Sequence, residues 1–178
     1  MMSTLPGFAA ASTLAVPVGG AYGEVMTAVQ LVTHDDDTAL AEAGRLLDVF
    51  NREYDEPTPG AARLAERLAE LIADGDTVVL LAEGSTGIAV VRLRKSIWSD
   101  QLEAYLAELY VVPERRGTGI GRALMGACLH QARERGADYI DLVTSEDDVA
   151  ARHLYAATGF RRTEGDGGPL MVCFEREL

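Results

Sequence analysis

The sequence predicts an α/β chain of the mixed, α+β kind, with a central sheet of about six to seven strands and helices on both faces. Three observations predict it. Apolar strand-like runs and amphipathic stretches follow in the order β-α-α-β-β-β-α-β-α-β. One of those strands, ending at Val112, runs into an Arg- and Gly-rich turn and then a helix. The 178 residues, 48% hydrophobic and 25% charged, suffice for one domain with its own core.

Residues 1–23 are small and apolar, with Pro6, Pro17 and several glycines, and lack periodicity over a useful length. They are expected to be a loosely ordered extension, or a segment lying on the body or on a partner subunit. The domain proper is expected over 24–178. Residues 24–33 alternate in part and predict the first strand. His34 precedes Asp35, Asp36 and Asp37, but adjacent residues on a turn do not converge on one ion. The run predicts a solvated turn and a helix N-cap instead. Ala39, Leu40, Ala43, Leu46, Leu47 and Phe50 recur at helical spacing, until Pro57 and Pro59 break the chain. A second helix over 61–73 turns Leu64, Ala65, Leu68, Leu71 and Ile72 inward and stops at Asp74-Gly75-Asp76.

Residues 77–83 and 88–95 predict two strands joined by a hairpin turn at 84–87. The loop 96–101 carries the only tryptophan, Trp98, which either lines a pocket or caps the core. Residues 102–112 predict the next strand. The helix after it, to about 135, buries Ile120, Ala123, Leu124, Ala127 and Cys128, with Gly136 as its C-cap. A strand over 137–144 follows. Asp147 or Asp148 caps a helix running to about 158, ended by Gly159-Phe160. Residues 170–175 predict a last strand.

With 28 acids against 16 bases, the formal charge is −12, which argues against a nucleic-acid partner. An acidic surround attracts a cationic acceptor such as an amine, or serves solubility alone. The two cysteines, Cys128 and Cys173, make no disulfide framework, and neither is placed as a nucleophile. Both are expected to be buried small hydrophobes. No apolar run is long enough to span a membrane, and the first basic residue is Arg45. A cytoplasmic, reduced protein is expected.

The turn after Val112 reads Pro113-Glu114-Arg115-Arg116-Gly117-Thr118-Gly119-Ile120-Gly121-Arg122. N–H groups at a helix start have no partner inside the helix, and the helix dipole makes that end positive. Glycines let main chain approach a ligand, and three arginines add full charge. This is an anion cradle suited to a phosphate. No Gly-Lys-Ser/Thr follows, which excludes the lysine-bearing P-loop. The dinucleotide fingerprint fails at Arg122, where a glycine is needed, although Asp141 lies at the distance of a ribose-binding acid. Arg-x-x-Gly-x-Gly does fit, at Arg116, Gly119 and Gly121. At these residues the chain resembles the GNAT superfamily of acetyl-CoA-dependent N-acetyltransferases.

The resemblance implies acetyl-CoA as co-substrate and no metal. It implies that main-chain groups of Leu109, Tyr110 and Val111 pair with the pantetheine arm as an extra strand would. Arg116, Gly117, Thr118, Gly119, Ile120, Gly121 and Arg122 would hold the pyrophosphate, and an N–H near Val111 would face the thioester oxygen. The run from Asp148 to Phe160 is similar to the family pattern Asn-x-x-Ala-x-x-Leu-Tyr-x-x-x-Gly-Phe, whose Tyr protonates the departing sulfur. Tyr155 takes that place; the alternative is a packed aromatic on an amphipathic helix. Asp148 stands where the family often has Asn and brings a negative charge. Glu108 lies where many members carry an acid and is the expected base, directly or through water; otherwise it is a satisfied polar residue at a strand irregularity. His130 and His153 are rival bases by type.

For the acceptor, the resemblance points to the connection between the first two helices, residues 53–60, where Glu53, Asp55 and Glu56 stand, and to the late strands; Asp148 is the further candidate. The run Leu47 to Tyr54 with the Asp147-Asp148 pair is similar to GNAT-type aminoglycoside 3-N-acetyltransferases. The expected reaction is acetyl transfer to a primary amine by direct attack, with a small cationic acceptor. The alternatives are a protein or peptide N-acetyltransferase and a non-catalytic acyl-CoA-binding domain. Many relatives pair, so a homodimer is expected.

Overall fold

The structure is a computed structural model that describes residues 13–18 and 25–177. Its elements run β1 (Thr13–Val18), β2 (Val25–Leu31), α1 (Asp37–Glu53), α2 (Ala61–Ala73), β3 (Thr77–Ala82), β4 (Gly87–Lys95), β5 (Leu102–Val111), α3 (Ile120–Glu134), β6 (Ala137–Leu142) and α4 (Val149–Ala157). Among the described residues one sheet of six strands forms, in the order β1-β2-β3-β4-β5-β6. Neighbours are antiparallel except β5 and β6, which are parallel. The sheet is therefore mixed, as the sequence predicts.

β3 is buried at every residue, and β4 over its first five. Strands covered on both faces need continuous apolar runs rather than alternation, and Val78-Val79-Leu80-Leu81 and Ile88-Ala89-Val90-Val91 are such runs. Two cores result. On one face α1 and α2 lay Leu40, Leu46, Leu47, Leu68 and Ile72 on Val79, Leu81, Ile88 and Tyr110. On the other α3 lays Ile120, Ala123, Leu124, Ala127 and Cys128 on Val78, Leu80, Val91 and Leu106. Those α3 residues are the five the helical spacing selects.

The helix ends follow their caps. The Asp36 carboxylate accepts from the Ala39 N–H at 2.9 Å and starts α1. Gly136, with φ of 85°, takes the left-handed turn after α3. α1 and α2 meet closely at Gly44, where a Cβ would lie 2.3 Å from the Ala61 carbonyl oxygen. Backbone cannot yield as a side-chain tip can. Gly44→Ala is expected to destabilise the fold by about 1–3 kcal/mol, read as a lower midpoint in denaturant.

Four findings bear on these expectations. β1 occupies residues 13–18 and pairs with β2 from Thr13 opposite Gln30 to Val18 opposite Val25, where no strand was expected. The remainder of 1–23 lies outside the described residues. Residues 170–175 do not form a strand: only an isolated bridge joins Leu170 to Thr163, and the stretch is exposed. Its apolar run has strand composition, but among the described residues no neighbour offers a ladder, and composition alone does not make one. Cys173 lies in that stretch and is exposed, not buried. Trp98 is 87% exposed and does not cap the core.

Candidate active site

β5 is flanked on both sides only over its first half. It follows β4 from Lys95 opposite Leu102 to Gly87 opposite Val111. Its parallel pairing with β6 stops at Leu106 opposite Leu142. Beyond that point, among the described residues, residues 107–111 have a strand neighbour only in β4. The β4–β5 register also shifts: Val90 faces Glu108 and Val91 faces Leu106, so Ala107 is an extra residue. Such a bulge bends the strand and re-aims its side chains. Ala104 and Leu106 face α3 before it, and Leu109 and Val111 after it. Tyr110 faces α1 and α2. Glu108, two residues before Tyr110, shares its side of the strand.

The chain then makes a 3-10 turn, Pro113–Arg115, and a glycine turn. Gly117 has φ of 74° and Gly119, the N-cap of α3, φ of 92°, both in the left-handed region that glycine favours. The Thr118 hydroxyl donates to the Arg115 carbonyl at 2.6 Å and braces the turn. No side chain caps α3 and no acid stands in its first turn. α1 and α4, by contrast, carry aspartate caps. The first N–H groups of α3 thus lack a side-chain acceptor, at the positive end of the helix dipole. A Cβ on Gly117 would meet nothing within 4 Å, so the space beside that residue is open. Ile120 is buried and anchors the helix start from below. Gly121 serves packing instead. A Cβ there would lie 3.3 Å from Leu154 Cδ2, so its bareness lets α4 sit against α3.

Arg122 and Arg115 are exposed and have no ion-pair partner among the described residues. Arg116 is engaged. Its Nε donates to the Val111 carbonyl at 3.0 Å and its Nη2 to Glu53 Oε1 at 2.7 Å. Its guanidinium carbon lies 5.6 Å from the centre of the Tyr110 ring. The Tyr110 hydroxyl donates to the other Glu53 oxygen at 2.9 Å. Burial, with the Glu53 carboxylate adding to it, pushes that hydroxyl up to about 12. The sequence places Glu53 with the acceptor and Arg116 with the cofactor; the structure joins them to each other.

Tyr155 packs against the α3 core, its ring 6.0 Å from that of Phe160 in an edge arrangement. Among the described residues its hydroxyl has no hydrogen-bond partner. Burial first, then the negative charge of Asp148, pushes it up to about 12, so it is a protonated phenol at neutral pH. Glu108 is half-buried, and burial raises its carboxyl above the usual carboxylate range. It makes no ion pair among the described residues. Tyr155 and Glu108 thus belong to opposite faces of the sheet, Glu108 on the stretch of β5 that follows its parting from β6 and Tyr155 on the α3 side. Cys128 is fully buried, and burial pushes its thiol up to about 12, which removes it as a thiolate nucleophile. His130 and His153 are exposed.

Asp148 is the N-cap of α4, its carboxylate accepting from the Ala151 N–H at 2.9 Å. One oxygen is therefore committed to the helix, which limits it as an acceptor ligand. Asp55 is exposed with φ of 57°, on a connection held by the Asn51 amide donating to the Pro57 carbonyl at 2.8 Å and Thr58 donating to Asp48 at 2.8 Å. The sequence missed the hydroxyl of Tyr110, which joins Glu53; the strand irregularity offered as the alternative reading of Glu108 is present, as the bulge at Ala107. The bulge has a signal: the apolar positions step from 104 and 106 to 109 and 111, a break in parity. The hydroxyl contact has none, since Glu53 and Tyr110 are 57 residues apart.

The sequence profile of the Acetyltransferase (GNAT) family matches residues 44–160. A mycothiol acetyltransferase of Thermobispora bispora is 37% identical over 122 residues, 65% of this chain but only 36% of that protein. The chain thus spans little more than a third of that relative. An aminoglycoside N(6′)-acetyltransferase type 1 of Stenotrophomonas maltophilia is 34% identical over 113 residues, covering 60% of this chain and 74% of that one. A crystal structure of an Arthrobacter sp. FB24 protein assigned as an acetyltransferase covers 90% of this chain and 99% of its own, at 40% identity and a TM-score of 0.76. Both stretches that build the site, the glycine turn and the helix bearing Tyr155, fall inside the matched span, and the chain belongs to the GNAT acetyltransferase family.

Proposed function

We propose that this protein moves an acetyl group from acetyl-CoA to a small cationic primary amine by direct attack, without an acyl-enzyme. The observation that carries the proposal is the stretch of β5 left without its β6 partner after Leu106, which bears Glu108 and leads into the uncapped start of α3, with Tyr155 packed on the α3 side of the sheet. Acetyl-CoA brings the acetyl group activated as a thioester. The N–H groups of Gly119, Ile120 and Gly121, with Arg122, hold the diphosphate. The main-chain edge of Leu109, Tyr110 and Val111, where the Val111 carbonyl also accepts from Arg116 Nε, takes the pantetheine arm as an added strand, which sets the thioester where β5 parts from β6. Glu108 accepts a proton from the acceptor ammonium, freeing the nitrogen lone pair. The nitrogen bonds to the carbonyl carbon, the carbon–sulfur bond breaks as Tyr155 protonates the sulfur, and the surplus proton now on the nitrogen passes through water to the Tyr155 oxygen, which leaves a neutral amide and restores the phenol. The main-chain N–H near Val111 polarises the carbonyl oxygen.

The formal charge of −12 favours a cationic acceptor, and Asp55 stands exposed on the α1–α2 connection to meet one. Relatives named for mycothiol, an aminoglycoside 6′-amine and streptothricin fit a small acceptor better than a protein one. Thiol release from acetyl-CoA, screened over aminoglycosides, polyamines, amino acids and short peptides, tests this. Amine-dependent release with a small cationic amine is expected. Release with peptides alone would overturn the acceptor class. Coenzyme binding without release to any amine would leave an acyl-CoA-binding domain.

A further inference from the structure

Arg116 stands three residues before the N-cap of α3, beside the expected diphosphate, yet its Nη2 is held by Glu53 at 2.7 Å. The pair is reachable by solvent, with side chains 44% and 27% exposed. An ion pair of that exposure exchanges partners at little cost, and a diphosphate is the stronger competitor for a guanidinium. Glu53 is the last residue of α1 and opens the connection that carries Asp55. Its carboxylate has a second anchor in the Tyr110 hydroxyl, which does not depend on Arg116. Likewise Arg116 has a second anchor, Nε on the Val111 carbonyl, which does not depend on Glu53.

Resting on the acetyl-CoA reading above, we propose that Arg116 is shared between Glu53 and the coenzyme diphosphate, so that loading the coenzyme releases Glu53 to the cationic acceptor. Before loading, the pair is neutral and Glu53 has little to offer an ammonium. When the diphosphate takes the terminal guanidinium nitrogens, Arg116 pivots on its Nε contact. Glu53 stays tethered to Tyr110 and carries an uncompensated negative charge. Coupling of this kind is reciprocal: an acceptor that engages Glu53 strengthens coenzyme binding in return. Glu53 is then a specificity-determining carboxylate whose strength depends on the cofactor, and Arg116 a residue that serves both half-sites.

The test is titration calorimetry with coenzyme A and, separately, with pantetheine, which lacks the diphosphate. Glu53→Gln removes the competitor for Arg116. It is expected to tighten coenzyme A by about two- to fivefold, the scale of one partly exposed ion pair, and to leave pantetheine unchanged. Glu114→Gln, which removes an equal charge beside the same turn, is expected to change coenzyme A affinity less. Unchanged or weaker coenzyme A binding by Glu53→Gln overturns the exchange, as does equal tightening of pantetheine or equal tightening by Glu114→Gln. Glu53→Asp, one methylene too short to hold both partners, is expected to act in the same direction and serves where Glu53→Gln melts early. A wild-type protein that binds neither ligand overturns the acetyltransferase reading; binding without the mutational gain overturns only the exchange.

Discussion

Tyr155→Phe is expected to lower kcat by roughly 10²–10⁴-fold, the usual worth of a positioned general acid, with coenzyme affinity near wild type. The ring is packed against the α3 core and Phe160, and Phe keeps that packing. What goes is one proton donor. At about 12 the hydroxyl stays protonated throughout the neutral range, so the donor carries its proton whenever the sulfur departs. Steady-state kinetics with a saturating amine, beside coenzyme A titration, separates the two effects. Wild-type turnover would return Tyr155 to the core as a packing residue. Because no hydrogen bond from the described residues holds the hydroxyl, its removal leaves none of their buried donors or acceptors unsatisfied. A large loss of kcat with an unchanged melting temperature is therefore chemical in origin.

Glu108→Gln carries the second large effect, a loss of kcat/KM of roughly 10²–10⁴-fold at neutral pH. Burial raises the folded-state pKa of Glu108 above its unfolded value. A base works only when deprotonated, so kcat/KM of the wild type is expected to rise with pH through that raised value, above the ordinary carboxylate range. The Gln variant loses this limb. The same shift has the opposite sign for stability. A carboxyl whose folded pKa is raised contributes stability that is fully present below the unfolded pKa and lost as pH rises through the folded one. That loss is complete in the wild type once the pH has passed the raised folded value, and Gln, which does not ionise, avoids it. Glu108→Gln is thus expected to melt higher than wild type above that pH while turning over more slowly. A variant that loses both activity and stability would mark Glu108 as a structural residue instead.

Much of the scaffold was legible in residue spacing, because the scaffold depends on local rules. Leu68 and Ile72 on one helix, and Ala123, Leu124, Ala127 and Cys128 on another, sit where a 3.6-residue period puts them. Gly75 and Gly136 stop their helices with positive φ, as turn chemistry requires. Asp148 caps α4 as its side-chain preference predicts. The readings that changed depend on neighbours far along the chain. Residues 170–175 have strand composition but find no ladder, and Cys173 goes with them into solvent. Thr13–Val18 gained a strand because β2 offered an edge. At the site, the cradle was legible because strand, glycine turn and helix are contiguous. The attachment of Arg116 to Glu53 was not, since the two are 63 residues apart and their pairing is set by how α1 crosses the end of β5.

The parting of β5 from β6 after Leu106 has a second consequence, for solubility. Bare strand edge is a template on which another polypeptide can add itself. Here the rung unpaired among the described residues is only five residues long and kinked by the extra Ala107, which blunts it without closing it. Occupancy by a pantetheine arm would seal it, so unliganded protein should be the more prone to self-association on storage.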